Sequence, residues 1–133
     1  MKFIFKKISL VKLMEPKQNN INERLQWLGS SLGLFSLRDK NSSCFRIFIE
    51  VLKASQKNKA LTSDQISHKT GLSRGTVVFH LNKLIKAGII ISEKNKYILR
   101  AKSLHKLMEE LHKDVDEIFK KLEETGDFID RFL

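Results

Sequence analysis

Residues 60–100 read ALTSDQISHKTGLSRGTVVFHLNKLIKAGIIISEKNKYILR, and their capping residues decide the local structure. Thr62 and Gln65 have the spacing of a capping box, in which each side chain bonds the backbone of the other, so a helix begins at Thr62. Gly71 can adopt the left-handed backbone conformation that commonly ends a helix, so this helix ends near Thr70. The stretch therefore opens with a short helix that is defined at both ends.

A second helix begins almost at once, because Ser73 is a good N-cap, and it ends at Gly88. Two helices joined by a Gly-containing turn of about three residues form a helix-turn-helix. After Gly88 the apolar pattern changes from helical to short and β-branched. Residues 89–92, a polar turn at 93–96 and residues 97–100 predict a hairpin. A helix-turn-helix followed by a hairpin is a winged helix, so the predicted fold class is mainly α with a small β-hairpin wing.

The stretch resembles the winged helix-turn-helix of prokaryotic transcriptional regulators, nearest the arsenic-repressor (ArsR) type. The residues that carry the resemblance are Gly71-Leu72-Ser73-x-x-Thr76-Val77-x-x-His80-Leu81-x-x-Leu84-x-x-Ala87-Gly88-Ile89-Ile90. With the flanking helices the resemblance covers roughly residues 40–124. It implies DNA binding by a homodimer whose terminal helices form the interface. The chain departs from the family in lacking the Cys pair and the ligand spacing of its metal sensors.

The resemblance makes residues 73–87 the recognition helix, whose N-terminal half enters the major groove. Arg74 suits a bidentate contact to guanine, and Asn82 suits adenine. Phe79 either touches thymine methyl groups or packs on the N-terminal helix. Basic residues in the hairpin turn suit contact with the DNA backbone. The predicted DNA-binding residues are Ser73, Arg74, Gly75, Thr76, Phe79, Asn82, Lys83, Lys86, Lys94 and Lys96.

Upstream of this stretch, the sequence predicts a basic N-terminal arm over residues 1–19 and a capped amphipathic helix over residues 21–35. Gly33 is expected to fray or end this helix. Translation starting at Met14, or a mobile arm over residues 1–13, would each explain the break before the helix. The spacing Gly29-x-x-x-Gly33 permits either a close helix crossing or simply a weakened helix. The DNA-binding domain with its N-terminal helix is predicted to span residues 20–100.

Apolar residues on both sides of the winged helix point to a second copy of the chain. A helix at residues 42–54 is apolar nearly all round, which suggests burial on every side. Residues 101–133 are predicted to form a C-terminal dimerisation helix that reaches about Glu124, with a heptad seam. The predicted dimer-interface residues are Leu104, Met108, Leu111, Val115, Ile118 and Leu122.

The charge is unevenly distributed over the 133 residues, which carry a net charge of +10. Residues 1–100 hold 19 basic and 6 acidic residues, whereas residues 101–133 hold 6 basic and 9 acidic ones. Basic residues neutralise phosphates and release counterions, so the basic part suits a polyanion. The expected partner is double-stranded DNA with a pseudo-palindromic operator, bound by a dimeric sequence-specific transcriptional regulator. The alternative is a winged-helix protein-interaction module in transcription or replication machinery.

Other functional classes find little support. No nucleophile elbow, phosphate loop or HExxH motif is present, so the chain is predicted not to be an enzyme and to need no cofactor. His105, His112 and Asp116 share a helix face, but a solvated face explains them better than a metal site. The single cysteine, Cys44, reads as a small buried apolar residue. The apolar stretches are too short for a membrane span, and a cytoplasmic location is expected.

Overall fold

The computed structural model describes residues 7–17, 19–35 and 42–133. The chain divides into two units, Met1–Arg100 and Ala101–Leu133. The predicted fold class is confirmed, because these described residues form five helices and one small antiparallel sheet. The elements are α1 (Ile21–Ser31), α2 (Ser43–Gln56), β1 (Leu61–Thr62), α3 (Ser63–Thr70), α4 (Arg74–Lys86), β2 (Ile90–Glu93), β3 (Lys96–Leu99) and α5 (Leu104–Phe132).

The predicted capping residues fix the ends of α3 and α4. Both halves of the capping box form, since Thr62 Oγ1 accepts from the Gln65 amide and Gln65 Oε1 accepts from the Thr62 amide. Gly71 ends α3 with a φ of +73°, and Gly88 follows α4 with a φ of +77°. Ser73 caps α4 through its hydroxyl oxygen, which accepts from the Thr76 amide. Local sequence therefore defines the helix-turn-helix.

The wing belongs to a three-stranded sheet in the order β1-β3-β2, which is one strand more than the predicted hairpin. The added strand β1 is only two residues long and pairs with β3 antiparallel. The predicted turn at residues 93–96 is too long, because Glu93 and Lys96 pair across the hairpin. The turn consists of Lys94 and Asn95 alone, with φ of +52° and +64°. Two positive φ values are typical of the tight hairpin turn that matches strand twist.

The core of the first unit is built around α2, which contacts α3, α4 and β3. Its inward residues Ile47, Phe48 and Val51 are completely buried, as are Val77, Leu81 and Leu84 of α4. Most of the apolar surface of α2 is therefore covered by its own chain, and the sequence argument for a second chain over this helix loses its basis. Ser55 Oγ accepts a hydrogen bond of 2.9 Å from the Leu99 amide and ties α2 to β3.

α1 is shorter than the full predicted stretch over 21–35, because it ends before Gly33, as expected for that glycine. Asn20 caps its start, and the helix stops at Ser31, two residues before Gly33 takes a φ of +68°. The chain then turns inward, and Leu34, which lies off the predicted apolar stripe, is almost completely buried.

The two glycines of the Gly29-x-x-x-Gly33 spacing have separate roles. Gly33 supplies the left-handed conformation that ends the helical segment. Gly29 lies under the ring of Phe35, and a Cβ atom at position 29 would overlap that ring. Phe35 in turn meets Phe45 edge to face, with ring centroids 5.2 Å apart. Gly29 thus lets the segment after α1 fold back onto the helix and reach α2.

Gly29→Ala is expected to destabilise the protein, whereas Gly126→Ala is expected to stabilise it. Displacing Phe35 costs about 1–3 kcal/mol, as overpacking usually does. This cost exceeds the gain in helix propensity, which is about 1 kcal/mol. A Cβ atom at Gly126, inside α5, meets nothing within 4 Å, so only the gain applies there. Urea unfolding of both variants measures the difference, and equal stabilisation would contradict the packing of Phe35 on α1.

Residues 7–17 lie on the first unit without regular secondary structure. The Lys7 amide donates to the Lys86 carbonyl at 2.8 Å, and the Val11 amide donates to the Ser31 carbonyl at 2.7 Å. Trp27 Nε1 donates to the Leu13 carbonyl at 3.3 Å. These bonds differ from the expected mobile arm, because the segment finds partners at the ends of α1 and α4. Residues 1–6 and 18 of the predicted arm lie outside the described residues.

α5 continues for two turns beyond the predicted end near Glu124. Gly126 does not stop it, and Arg131 pairs with Asp127 at 2.8 Å one turn back. The rings of Phe128 and Phe132 lie 4.8 Å apart on the same face. Ile129 lies seven residues after Leu122, so the heptad spacing of the predicted seam reaches this residue. None of the helices in the described parts of the chain is both long and apolar enough to span a membrane.

Candidate nucleic-acid interface

The start of α4 is open to solvent. Ser73, Arg74 and Gly75 are exposed, and Thr76 is half-buried. The Ser73 hydroxyl donates to Thr76 Oγ1 at 2.9 Å while it accepts from the Thr76 amide, so these two side chains are fixed. A Cβ atom added to Gly75 would meet nothing within 4 Å, which leaves the first turn accessible to a close partner. Free amides at such a helix start favour a phosphate.

The turn that sets the start of α4 is braced by hydroxyl groups that the sequence did not single out. Ser67 Oγ donates to the Leu72 carbonyl at 2.6 Å. Thr70 Oγ1 donates to the Ile66 carbonyl at 2.7 Å and accepts from the Leu72 amide at 3.3 Å. Because both hydroxyls belong to α3, they fix the path of the chain between the two helices. The sequence signal that could have predicted this bracing is the position of Ser67 and Thr70 in the last turn of a helix that ends at Gly71.

Arg74 has a partner on the neighbouring helix. Its Nε lies 3.5 Å from Asp64 Oδ1, and the two side chains are 71% and 74% exposed. An exposed ion pair contributes only about 0–1 kcal/mol to stability. The pair bridges the first turns of α3 and α4 and leaves the guanidinium of Arg74 accessible to a partner. Asp64 was missed because the carboxylate and Arg74 are ten residues apart and meet only through the turn.

The remaining predicted residues of α4 divide into two groups. Phe79, Asn82 and Lys86 are exposed, with Phe79 67% accessible. Lys83 is half-buried, and its ammonium group donates to the Leu34 carbonyl at 2.8 Å. Lys83 thereby ties the segment after α1 to α4. An ammonium group has three donors, so this bond leaves Lys83 able to meet a phosphate as well.

The wing presents its lysines at the tip of the hairpin. Lys94 and Lys96 are both exposed. Arg100, at the base of β3, donates instead to the Gly88 carbonyl at 3.3 Å. It therefore stabilises the end of α4, and the cationic surface of the wing is formed by the two lysines.

Replacing Lys94 and Lys96 with alanine is expected to lower the salt dependence of DNA binding. Each lost phosphate contact reduces the slope of log affinity against log salt by about 0.9, so two lysines in each subunit of a dimer predict a drop of about 3–4. Titrations between about 50 and 200 mM salt measure this slope. The control is Lys57→Ala with Lys59→Ala, which removes the same charge from the exposed turn after α2. A slope as steep as that of the unaltered chain would exclude wing contact.

The residues of the predicted seam of α5 differ in exposure. Along the seam, Leu111 is buried, Leu104, Met108 and Val115 are half-buried, and Ile118 and Leu122 are exposed. Leu107, which is off the seam, is buried as well. His105 and His112 each face an acid four residues on, Glu109 and Asp116, at 3.2 and 3.7 Å. No group of three or more potential metal ligands occurs among the described residues.

The arrangement has the elements of a DNA-reading surface: a capped helix with a basic outer face, a second helix bracing it and a basic wing. Residues 49–91 match the family profile described as winged helix-turn-helix DNA-binding. The described residues have the winged helix-turn-helix fold, and residues 49–91 are similar to this DNA-binding family. The matched residues run from α2 into β2 and include all of α3 and α4. The match does not distinguish the ArsR type from other winged helices.

No curated protein matches the sequence. A solved structure titled as ligand-free NadR is 23% identical, over 80% of each chain, with a TM-score of 0.39. A TM-score of 0.39 is too low for this likeness to bear on function.

Proposed function

We propose that this protein is a sequence-specific transcriptional regulator that binds double-stranded DNA through α4. The observation that carries the proposal is the division of α4 into two faces. Val77, Leu81 and Leu84 are completely buried, so the orientation of the helix is fixed. The opposite face presents the predicted contact residues from Ser73 to Lys86, and the winged helix-turn-helix match supports DNA as the ligand.

Within this surface, the residues have different roles. Arg74 and Asn82 carry the hydrogen-bonding groups that distinguish guanine and adenine in the major groove. Ser73, Gly75 and Thr76 suit a phosphate at the helix start, and Lys86 suits one further along. Phosphate contacts set the register of the helix on DNA, whereas base contacts supply the sequence preference. Phe79 adds an apolar group that suits a thymine methyl.

The proposed active form is a homodimer joined through α5. Ile118 and Leu122 are exposed, and Ile129 continues the same heptad stripe further along the helix. Apolar side chains repeated at heptad spacing are buried when a second helix packs along them. A two-fold dimer places its recognition helices about 34 Å apart, one turn of DNA, and therefore binds a pseudo-palindrome. An ArsR-like regulator of this kind acts in the cytoplasm.

Fluorescence anisotropy on the DNA upstream of the protein's own gene tests the proposal. Regulators of this kind commonly bind specific sites about 10³–10⁷ times more tightly than unrelated DNA. We expect at least the lower ratio between an upstream duplex and a scrambled duplex of the same base composition. Equal binding to both duplexes, or no binding to either, would contradict the proposal that α4 recognises a specific DNA sequence. The salt concentration is held constant because the non-specific part depends on it.

A further inference from the structure

A cleft opens beside the DNA-facing side of α4. It has a volume of about 640 Å³, within the range of about 300–1,000 Å³ that is typical of small-molecule sites. One wall is the second half of α4, another is the turn after α1, and residues 7–9 form the rim. Its lining includes Lys7, Leu32, Leu34, Phe79, Lys83 and Lys86.

The chemistry of the lining specifies a ligand. Leu32, Leu34 and Phe79 make an apolar surface, and Phe79 is 67% exposed in the absence of a partner. The ammonium group of Lys83 is held at the wall by the Leu34 carbonyl. No acidic residue occurs among the described lining residues. An apolar pocket with a few cationic groups suits an anion that carries an aromatic or branched apolar body.

The cleft is also connected to the proposed DNA surface. Phe79, Asn82, Lys83 and Lys86 line it and belong to the residues proposed to meet DNA. At the cleft itself, the Lys7 amide donates to the Lys86 carbonyl and attaches the rim to the end of α4. A molecule seated against these side chains occupies space that bases and phosphates take in the proposed DNA complex. The same molecule would also hold the rim against α4.

We propose that this cleft binds a small organic anion with an apolar body, and that an occupied cleft excludes DNA from α4. The second clause rests on the proposed function, whereas the first rests on the cleft alone. Occupation and DNA binding are then linked, because a ligand that binds one form of the protein draws it away from the other. The chain would release its operator when such an anion accumulates.

The first experiment uses 8-anilinonaphthalene-1-sulfonate, an aromatic anion that fluoresces in apolar sites, titrated into the full chain without DNA. We expect one saturable site per chain. Lys7→Glu is expected to weaken dye binding by about fivefold, which corresponds to the upper end of the contribution of one exposed ion pair. Lys12→Glu, the same change on an exposed residue of the same segment that is not part of the lining, is expected to leave the affinity within about twofold. Equal effects of the two variants would overturn the site, as would unsaturable binding.

The second experiment follows amide exchange and DNA release. Bound dye is expected to slow exchange at Lys7, whose amide is bonded to Lys86, and to release a prebound duplex in proportion to occupancy. Inorganic phosphate at equal ionic strength lacks the apolar body, and it is expected to do neither. Dye saturating its site while the duplex stays bound would overturn the exclusion. A chain that binds the dye but no duplex would overturn the proposed function and the exclusion together, and the anion site would stand.

Discussion

Replacing Ile118 and Leu122 with glutamate is expected to convert the protein to monomer and to lower its affinity for a specific site by about 10³-fold or more. The two side chains are 46% and 57% exposed, so their loss leaves the core of the single chain intact. In a coiled-coil seam, the two substitutions would place four carboxylates per dimer among apolar side chains, where unpaired charges are strongly destabilising. Without the dimer, one winged helix keeps only weak, salt-dependent binding.

Sedimentation and anisotropy on the same samples measure the two effects together. Ile118 and Leu122 are better sites than Leu111 or Val115, because Leu111 is already buried in the single chain and glutamate there would also unfold it. The control is Lys120→Gln with Lys121→Gln, which changes the net charge equally on exposed positions of the same helix. An intact dimer with glutamate at both seam positions would place the interface elsewhere.

Arg74→Ala is expected to reduce affinity for the specific site by about 1–3 kcal/mol and to remove preference at one base pair in each half-site. The Arg74 side chain is 71% exposed at the start of α4, and its partner Asp64 is an exposed carboxylate from which it is readily released. The variant loses a bidentate contact to guanine in the specific site, whereas the unaltered protein makes no such contact with unrelated DNA. Binding to a scrambled duplex should therefore change far less.

Arg131→Ala is the matched control for Arg74→Ala. Arg131 is also 71% exposed and also pairs with one aspartate, Asp127, but it lies near the end of α5. Arg131→Ala therefore removes one positive charge and one exposed ion pair with an aspartate, as Arg74→Ala does. Anisotropy with specific and scrambled duplexes compares the variants. Equal losses on both duplexes for Arg74→Ala would make Arg74 a phosphate contact.

Local rules in the sequence were sufficient for the helix-turn-helix. The capping box at Thr62, the left-handed Gly71 and the N-cap Ser73 each depend on residues within four positions, so spacing alone predicted them. The same applies to Asn20 at the start of α1. The wing was predicted in kind but with the wrong turn, because Lys94 takes a positive φ that lysine seldom adopts.

Features that depend on distant residues were not predictable from spacing. β1 exists only because Leu61 and Thr62 meet β3, and two residues carry no periodic signal. Leu34 is buried by a change of direction after Gly33, which a helical stripe does not foresee. The end of α5 was placed too early, near the last residue of the heptad seam, whereas the pairs Asp127–Arg131 and Phe128–Phe132 accompany its continuation.

The candidate site shows the same division. The exposure of Arg74 and Asn82 agrees with their prediction as DNA contacts on the outer face of the helix. Phe79, for which packing on the N-terminal helix was the alternative, is exposed. The partners of the site residues, Asp64 for Arg74 and the Leu34 carbonyl for Lys83, lie on other elements, 10 and 49 positions away along the chain. Sequence reasoning thus identified which side chains face outward, but it did not identify what positions them.

Selection from a pool of random DNA duplexes tests the central claim, that α4 reads DNA sequence, most directly. The full chain is incubated with the pool at fixed salt, and bound duplexes are recovered, amplified and sequenced. The account predicts enrichment of a pseudo-palindrome whose half-sites are about 10–10.5 base pairs apart, centre to centre. Recovered duplexes with the same base composition and sequence distribution as the starting pool would contradict it.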